Sequence, residues 1–358
     1  IDLLPGQEIG PGDPEPVTLW NEEGAGILVL AKSSGNNRFS LGRNMYARID
    51  GFTIKSADTG GGIIANGYAD YLQISNNRIA NNSGFYGGGI RVGHPLLTDV
   101  DNLAYTDGRN DFVSIHHNQV VFNGGLGGSG GGISMCTGSD SYSVTGNWVC
   151  GNFSTAGGGG IGHIGRSTRA ALSGNQLGPV PVIEANTIIF NEIFNQGQTV
   201  SGGGIAIGGA PPLAAGALSP GAGDVFVYRN LIQGNSAGAG DGGGIRLDAV
   251  NGQDVAANPS NAANRPRWYA VELSNNMITN NVAGLAGGGI SLQDSVAVTI
   301  QNNTIANNDS LATAGEAFAP GSPNQSTPQP GAGIVTRAHS TQLAAASGSI
   351  GTFSNPSV

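Results

Sequence analysis

Four residues, Gly-Gly-Gly-Ile, return so often in this chain that they constrain its fold more than anything else in it. Their isoleucines are Ile63, Ile90, Ile133, Ile161, Ile205, Ile245 and Ile290, and the relaxed form Gly-Ala-Gly-Ile adds Ile27 and Ile334. A second element, Asn-x-(Ile/Val)-x-x-Asn, alternates with the first. Its asparagines pair as Asn77 and Asn82, Asn118 and Asn123, Asn147 and Asn152, Asn186 and Asn191, Asn230 and Asn235, Asn276 and Asn281, and Asn303 and Asn308. Where nothing is inserted the unit is about 27 residues, a period that marks a repeat architecture. That is shorter than a propeller blade, and the leucine pattern of leucine-rich repeats is missing.

Between the glycines the chain reads as short strands. "YLQISNN", "FVSIHHN", "VELSNNMI" and "VAVTIQNN" alternate apolar and polar residues and favour β-branched ones, the signature of half-buried strands. If each unit is one turn of a solenoid, its isoleucine stacks on the isoleucine of the next turn in a parallel ladder. Asparagine at a repeated corner stacks likewise, amide on amide, and it tolerates the left-handed backbone that a sharp corner needs. Glycine meets the same need at the other corner, where a Cβ would meet the neighbouring coil. The expected fold class is all-β: a single-stranded parallel β-helix of about nine coils. At roughly 4.8 Å per coil the rod is about 40 Å long.

These repeats resemble the right-handed parallel β-helix proteins of the pectin-lyase-like type, with their asparagine ladders and stacked aliphatic residues. The pairing of GGGI with Asn-x-Ile-x-x-Asn is also similar to the short motifs of bacterial polymorphic outer-membrane and autotransporter passenger β-helices. The resemblance spans about residues 17–340. Right-handedness is what it implies, in line with the general crossover rule for parallel strands. It implies a secreted or bacterial cell-surface location, and it carries little about activity because the shared residues are structural.

Composition narrows the partners. Only 11% of the 358 residues are charged and the net charge is −9, so no basic patch offers a grip on nucleic acid. No run of eighteen apolar residues would span a membrane. The 62 glycines lack the every-third-residue spacing of collagen. The chain opens on Ile1 without a signal-peptide pattern, which reads as a processed or excised piece of a longer precursor. It is treated as one β-helix domain over residues 1–358.

Interruptions of the repeat are where function is sought. From a GGGI isoleucine to the next ladder asparagine the minimum is 13–14 residues, but 28 separate Ile90 from Asn118, 25 Ile161 from Asn186, 25 Ile205 from Asn230 and 31 Ile245 from Asn276. Four insertions, about 95–110, 166–181, 210–223 and 249–266, therefore leave one side of the rod and are expected to wall a groove. A Pro/Ser/Gly-rich insertion at 309–331 leaves from another side.

Strand alternation points the residues one and three places past each isoleucine outward. Arg91, Ser134, Cys136, Arg246, Asp248, Ser291 and Gln293 are among them, and most of the rest are small. Arg91 and Arg246 lie four coils apart and cannot share one sugar. The best carboxylate pair is Asp248 with Asp294 on adjacent coils, with Arg246 and Asp241 beside it, at a spacing a glycosidase would use. These are weak catalytic candidates, and a surface ion pair with Arg246 competes with that reading. Arg91, His94 and Trp268 are binding candidates. Trp20 and Trp148, with Tyr86, Tyr105 and Tyr142, would serve as sugar-stacking platforms or as core anchors.

Five histidines give no metal set: adjacent His116 and His117 are expected on opposite faces of a strand, His94 and His339 at strand ends, and His163 inside. No cofactor motif is present. Cys136 and Cys150 form either one disulfide or two thiols. Neither end carries an amphipathic capping helix, so further segments of the polypeptide or another subunit are expected to cover the open coils. The functional expectation is a secreted or cell-surface scaffold, adhesin or structural element. It would contact a polysaccharide or cell-surface glycan through its loops, or assemble through its ends. The alternative is a polysaccharide lyase or glycoside hydrolase with a groove along the rod.

Overall fold

In the computed structural model, residues 24–29, 47–93, 98–99, 104–105, 110–166, 179–212, 214–259, 267–318 and 331–347 are described. Their strands form four all-parallel sheets of nine, eight, eight and seven strands, a parallel β-helix. The first sheet holds the GGGI strands, from Ile27–Val29 to Ile334–Thr336. Thr98–Asp99 and Ala104–Tyr105 pair with each other as a two-stranded antiparallel ribbon and belong to none of these four sheets.

Each coil visits the four sheets in turn. In one coil these are Ile133–Met135, Tyr142–Thr145, Trp148–Cys150 and Phe153–Ser154, followed by Ile161–Ile164 of the next. The GGGI isoleucines stack in one unbroken register from Ile27 to Ile334. The insertion between Ile90 and Ile133 does not break it, because ladder pairing is set by the stacked aliphatics and not by chain length. Second-sheet residues such as Ile74, Ile115 and Val144, and third-sheet residues such as Ile79, Val120 and Val149, complete the core.

Two asparagine ladders seal the corners on either side of the third sheet. Asn186 Oδ1 accepts the Asn147 backbone N–H at 2.9 Å and the Asn147 Nδ2–H at 3.0 Å. The Asn147 amide also donates to the Ile115 carbonyl, 2.9 Å away. This repeats from Asn77 to Asn303, and in parallel from Asn82 to Asn308. Each amide thus satisfies backbone groups that the corner would otherwise bury unpaired.

The left-handed residue is not the ladder asparagine but the one before it. Positive φ falls on Asn76, His117, Gly146, Ala185, Arg229, Asn275 and Asn302 at one corner. At the other it falls on Asn81, Phe122, Gly151, Phe190, Gly234, Asn280 and Asn307. The ladder side chains, two hydrogen bonds apiece to the backbone of neighbouring coils, hold even β-carbon-bearing residues there.

Glycine is needed at the opposite corner for a different reason in each place. Gly158 has φ +65. A Cβ on Gly159 would stand 2.5 Å from both the Glu192 and Gly203 carbonyl oxygens, and one on Gly160 would stand 2.7 Å from the Gly204 oxygen.

Candidate functional site

The outward row of the first sheet is not a surface. Arg91 and Ser134, paired in register, are fully buried, as is Ser291, and Arg246 is 6% exposed. The segment that leads into each glycine triplet folds back over this row. A Cβ on Gly162 would fall 2.1 Å from Ser129 Oγ, and one on Gly87 3.0 Å from the Arg91 Cβ. The small outward residues thus answer a packing demand. The binding expectation for Arg91 is corrected accordingly: its side chain leaves the core but is roofed over, near Tyr86 and the buried Cys136. His94 lies outside the described residues.

Around Arg246 the expected cluster is assembled, with changed roles. Its Nη1 donates to Ser291 Oγ at 2.8 Å and to Asp241 Oδ2 at 3.2 Å, and its Nη2 donates to Gln293 Oε1 at 2.6 Å. Exposed Asp248 stands 3.4 Å from Nη2, and Arg337 Nε 3.5 Å from Asp241 Oδ2. Burial raises the Asp241 carboxyl above its usual range even though Arg246 and Arg337 pull it down. Asp241 is nonetheless enclosed on all sides.

Asp294 goes elsewhere. It sits one residue past Gln293, the partner of Asp248 in register, with φ +46. Its Oδ1 accepts the Ser340 N–H at 2.7 Å and lies 3.4 Å from His339 Nδ1. Burial opposes ionisation, but the bonds from His339 and Ser340 more than offset it and leave the carboxyl lowered. Asp294 therefore anchors the turn into helix α2 (Thr341–Ser347), whereas Asp248 answers Arg246. The two proposed catalytic partners are held in separate networks.

The loop flank is filled where it is described. Helix α1 (Gln253–Ala257) packs on α2 through Val255, Trp268 and Leu343. Trp268 is 6% exposed and its indole N–H donates to the Asn258 carbonyl at 3.0 Å, so it is an anchor and not a binding platform. Asp254 accepts the Gly252 N–H at 2.7 Å and the Tyr269 N–H at 2.9 Å.

Beneath them His163 is buried, as its inward position requires. The Tyr142 hydroxyl donates to Nδ1 at 2.9 Å and Nε2–H donates to the Ala222 carbonyl at 2.9 Å. Burial pushes its pKa down to about 4. The crevice that His163 shares with Asp140, Arg166 and Asp224 is packed shut, with no room for a water molecule. The expected groove does not open here; insertion residues 95–97, 100–103, 106–109, 167–178 and 260–266 lie outside the described residues. Cys136 and Cys150 are both free, and burial raises the Cys136 thiol to about 11.

Among the described residues, the outer face of the third sheet and its second corner present exposed aromatic side chains. Trp148 is 47% exposed between Gln119 and Thr187 in register, and beyond it lie Leu231 and exposed Met277. At the corner Phe122 and Phe190 are 62% and 63% exposed, each ring lying over the corner glycine of the next coil, Gly151 or Gly234. Strand alternation overlooks these phenylalanines. The signal for them is their place directly before a ladder asparagine, where the left-handed turn throws the side chain out.

The same turn corrects the reading of the two adjacent histidines. His117 has φ +56, which ends the alternation and swings its ring back to the side of His116; the two Nδ1 atoms are 3.0 Å apart. Among the described residues, no group of three or more His, Cys, Asp or Glu is placed to hold a metal ion. No described helix is long and apolar enough to cross a membrane. The chain matches no family model, no curated protein and no solved structure.

Proposed function

We propose that this chain is a secreted or cell-surface β-helix scaffold of the adhesin or structural kind, binding a polysaccharide or cell-surface glycan. The observation that carries the reading is the exposed aromatic group of Phe122 and Phe190, in one corner column two coils apart, with Trp148 on the third sheet of the coil between them and offset along the strand. Phe122 and Phe190 belong to coils two apart, about 10 Å at the rise of a parallel stack. Aromatic faces held at a fixed interval suit the apolar faces of successive sugar rings, and the neighbouring Gln119, Thr187 and Gln233 offer hydrogen bonds. Large exposed apolar patches on a monomer mark interaction sites. On this reading the glycan contacts the third sheet and its corner, and not the insertion loops.

Assembly through the coil ends belongs to the same proposal. Ile27, Val29 and Ala47 at one end, and Val298, Ile300, Ile305 and Ile334 at the other, are core rungs left half-buried. Leu343 of α2 packs on the loop flank and not over these rungs. The lyase or hydrolase alternative finds less support, because Asp241, Asp248, Asp294 and Arg246 are already committed to one another, to Gln293 or to the α2 turn.

Binding of the full chain to an array of neutral and acidic polysaccharides tests the reading. Replacing Phe122, Trp148 and Phe190 together by Ala is expected to weaken the best binder at least tenfold, about 1.4 kcal/mol, with the melting temperature little changed. Undiminished binding by that variant would remove the aromatic group from the function. Cleavage products that vanish in Asp248→Asn would reinstate the enzyme.

A further inference from the structure

The corner at His116 and His117 is built for something the aromatic group does not need. In most coils it is occupied by Asn, Gly, Ala or Arg; here it carries two imidazoles whose Nδ1 atoms face each other across 3.0 Å, with the rings nearly perpendicular. The arrangement is held in place by the fold. His116 ends a strand paired on both sides, to Ser75 and to Thr145. His117 is fixed by its left-handed backbone, and its ring lies over Gly146 of the next coil, where a Cβ would stand 3.4 Å from Nε2. Both rings reach solvent at the edge of the second sheet.

We propose that His116 and His117 form a two-imidazole site for a divalent transition-metal ion, copper(II) or nickel(II) above zinc(II). Two metal–nitrogen bonds of about 2.0–2.1 Å at a right angle bring their nitrogens to about 2.9 Å, while a tetrahedral angle needs about 3.4 Å. The observed 3.0 Å fits neighbouring positions of a square-planar or tetragonal ion. In the metal-free protein the same distance accommodates one Nδ1–H···Nδ1 hydrogen bond. On binding, the donor ring moves its proton to Nε2 through solvent, and both Nδ1 lone pairs turn to the metal without net proton release.

The charged groups around the pair are Asp50 and Arg48 on the preceding coils and Glu184, two coils on in the same row. Asp50 is bonded to Ser75 and Asn76, and Glu184 pairs with Arg229. They tune the local field but do not ligate. The remaining coordination positions are left to water or to a donor group of a bound partner.

The test is copper(II) titration of the chelator-treated full chain at pH 7.4, followed by calorimetry and electron paramagnetic resonance. One ion per chain is expected, with hyperfine splitting from two nitrogens. His117→Asn, which places at this corner the residue found there in three other coils, should lower affinity at least tenfold, and His116→Gln likewise. His339→Gln should leave it unchanged. Wild-type affinity in His117→Asn, or the absence of a two-nitrogen signal in the wild type, overturns the proposal. Unchanged circular dichroism and melting temperature in the variants exclude loss of fold as the cause.

Discussion

Asn191 shows what a single residue carries in this molecule. Its Oδ1 accepts two hydrogen bonds from Asn152, and its amide donates to Asn235 and to the Val149 carbonyl. Asn191→Ala strands the buried backbone N–H of Asn152, a loss worth about 3 kcal/mol. The same change at Asn303, on a half-buried terminal rung, is expected to cost about 1 kcal/mol. Urea unfolding of the two variants compares them, and equal losses would mean the ladder is not cooperative with burial.

His163 gives the protein an acid limit. Its folded pKa lies near 4, below the unfolded value, so the unfolded chain binds the proton more readily. Stability is full above about pH 6.5 and falls as pH drops from there toward 4, by about 3 kcal/mol at the lower limit. His163→Gln, which keeps a donor and an acceptor, should flatten this slope in thermal scans between pH 4 and 7.

At the scale of elements, the glycine corner and the strands beside it are read directly from the chain. Gly159→Ala drives a Cβ to 2.5 Å from two carbonyl oxygens of neighbouring segments, and neither belongs to a flexible side chain. A loss of about 3 kcal/mol or outright misfolding is expected. At Gly124 nothing lies within 4 Å of a Cβ and φ is not positive, so Gly124→Ala should be neutral or gain about 0.5 kcal/mol by restricting the unfolded chain. Melting temperatures of the pair show whether close approach is what excludes a side chain at Gly159. The period-two pattern in "FVSIHHN" showed that Val113 and Ile115 are core. It could not show that the alternation stops at His117, because one left-handed residue reverses a side chain without any change of hydropathy.

The whole molecule is a one-dimensional stack in which each coil leans on its neighbours. Amide exchange should therefore be slowest in central strands such as Ile133–Met135 and Ile205–Gly208 and fastest in Ile27–Val29 and Ile334–Thr336. Uniform protection along the rod would mean that the half-buried ends are covered in solution.

The sequence by itself determined the coil, its minimal period, both ladders, the isoleucine register and the inward histidine, because each follows from short motifs that return once per coil whatever is inserted between them. Only the tertiary structure decided that the outward arginines are roofed over, that Asp248 and Asp294 belong to separate networks, and that Trp268 anchors while Phe122 and Phe190 stand free. Those outcomes hang on how segments between the repeats fold back, through contacts such as Asp294 with Ser340 or Trp268 with Leu343. Such contacts occur once each, between residues that no repeated motif marks, so no pattern in the chain records them.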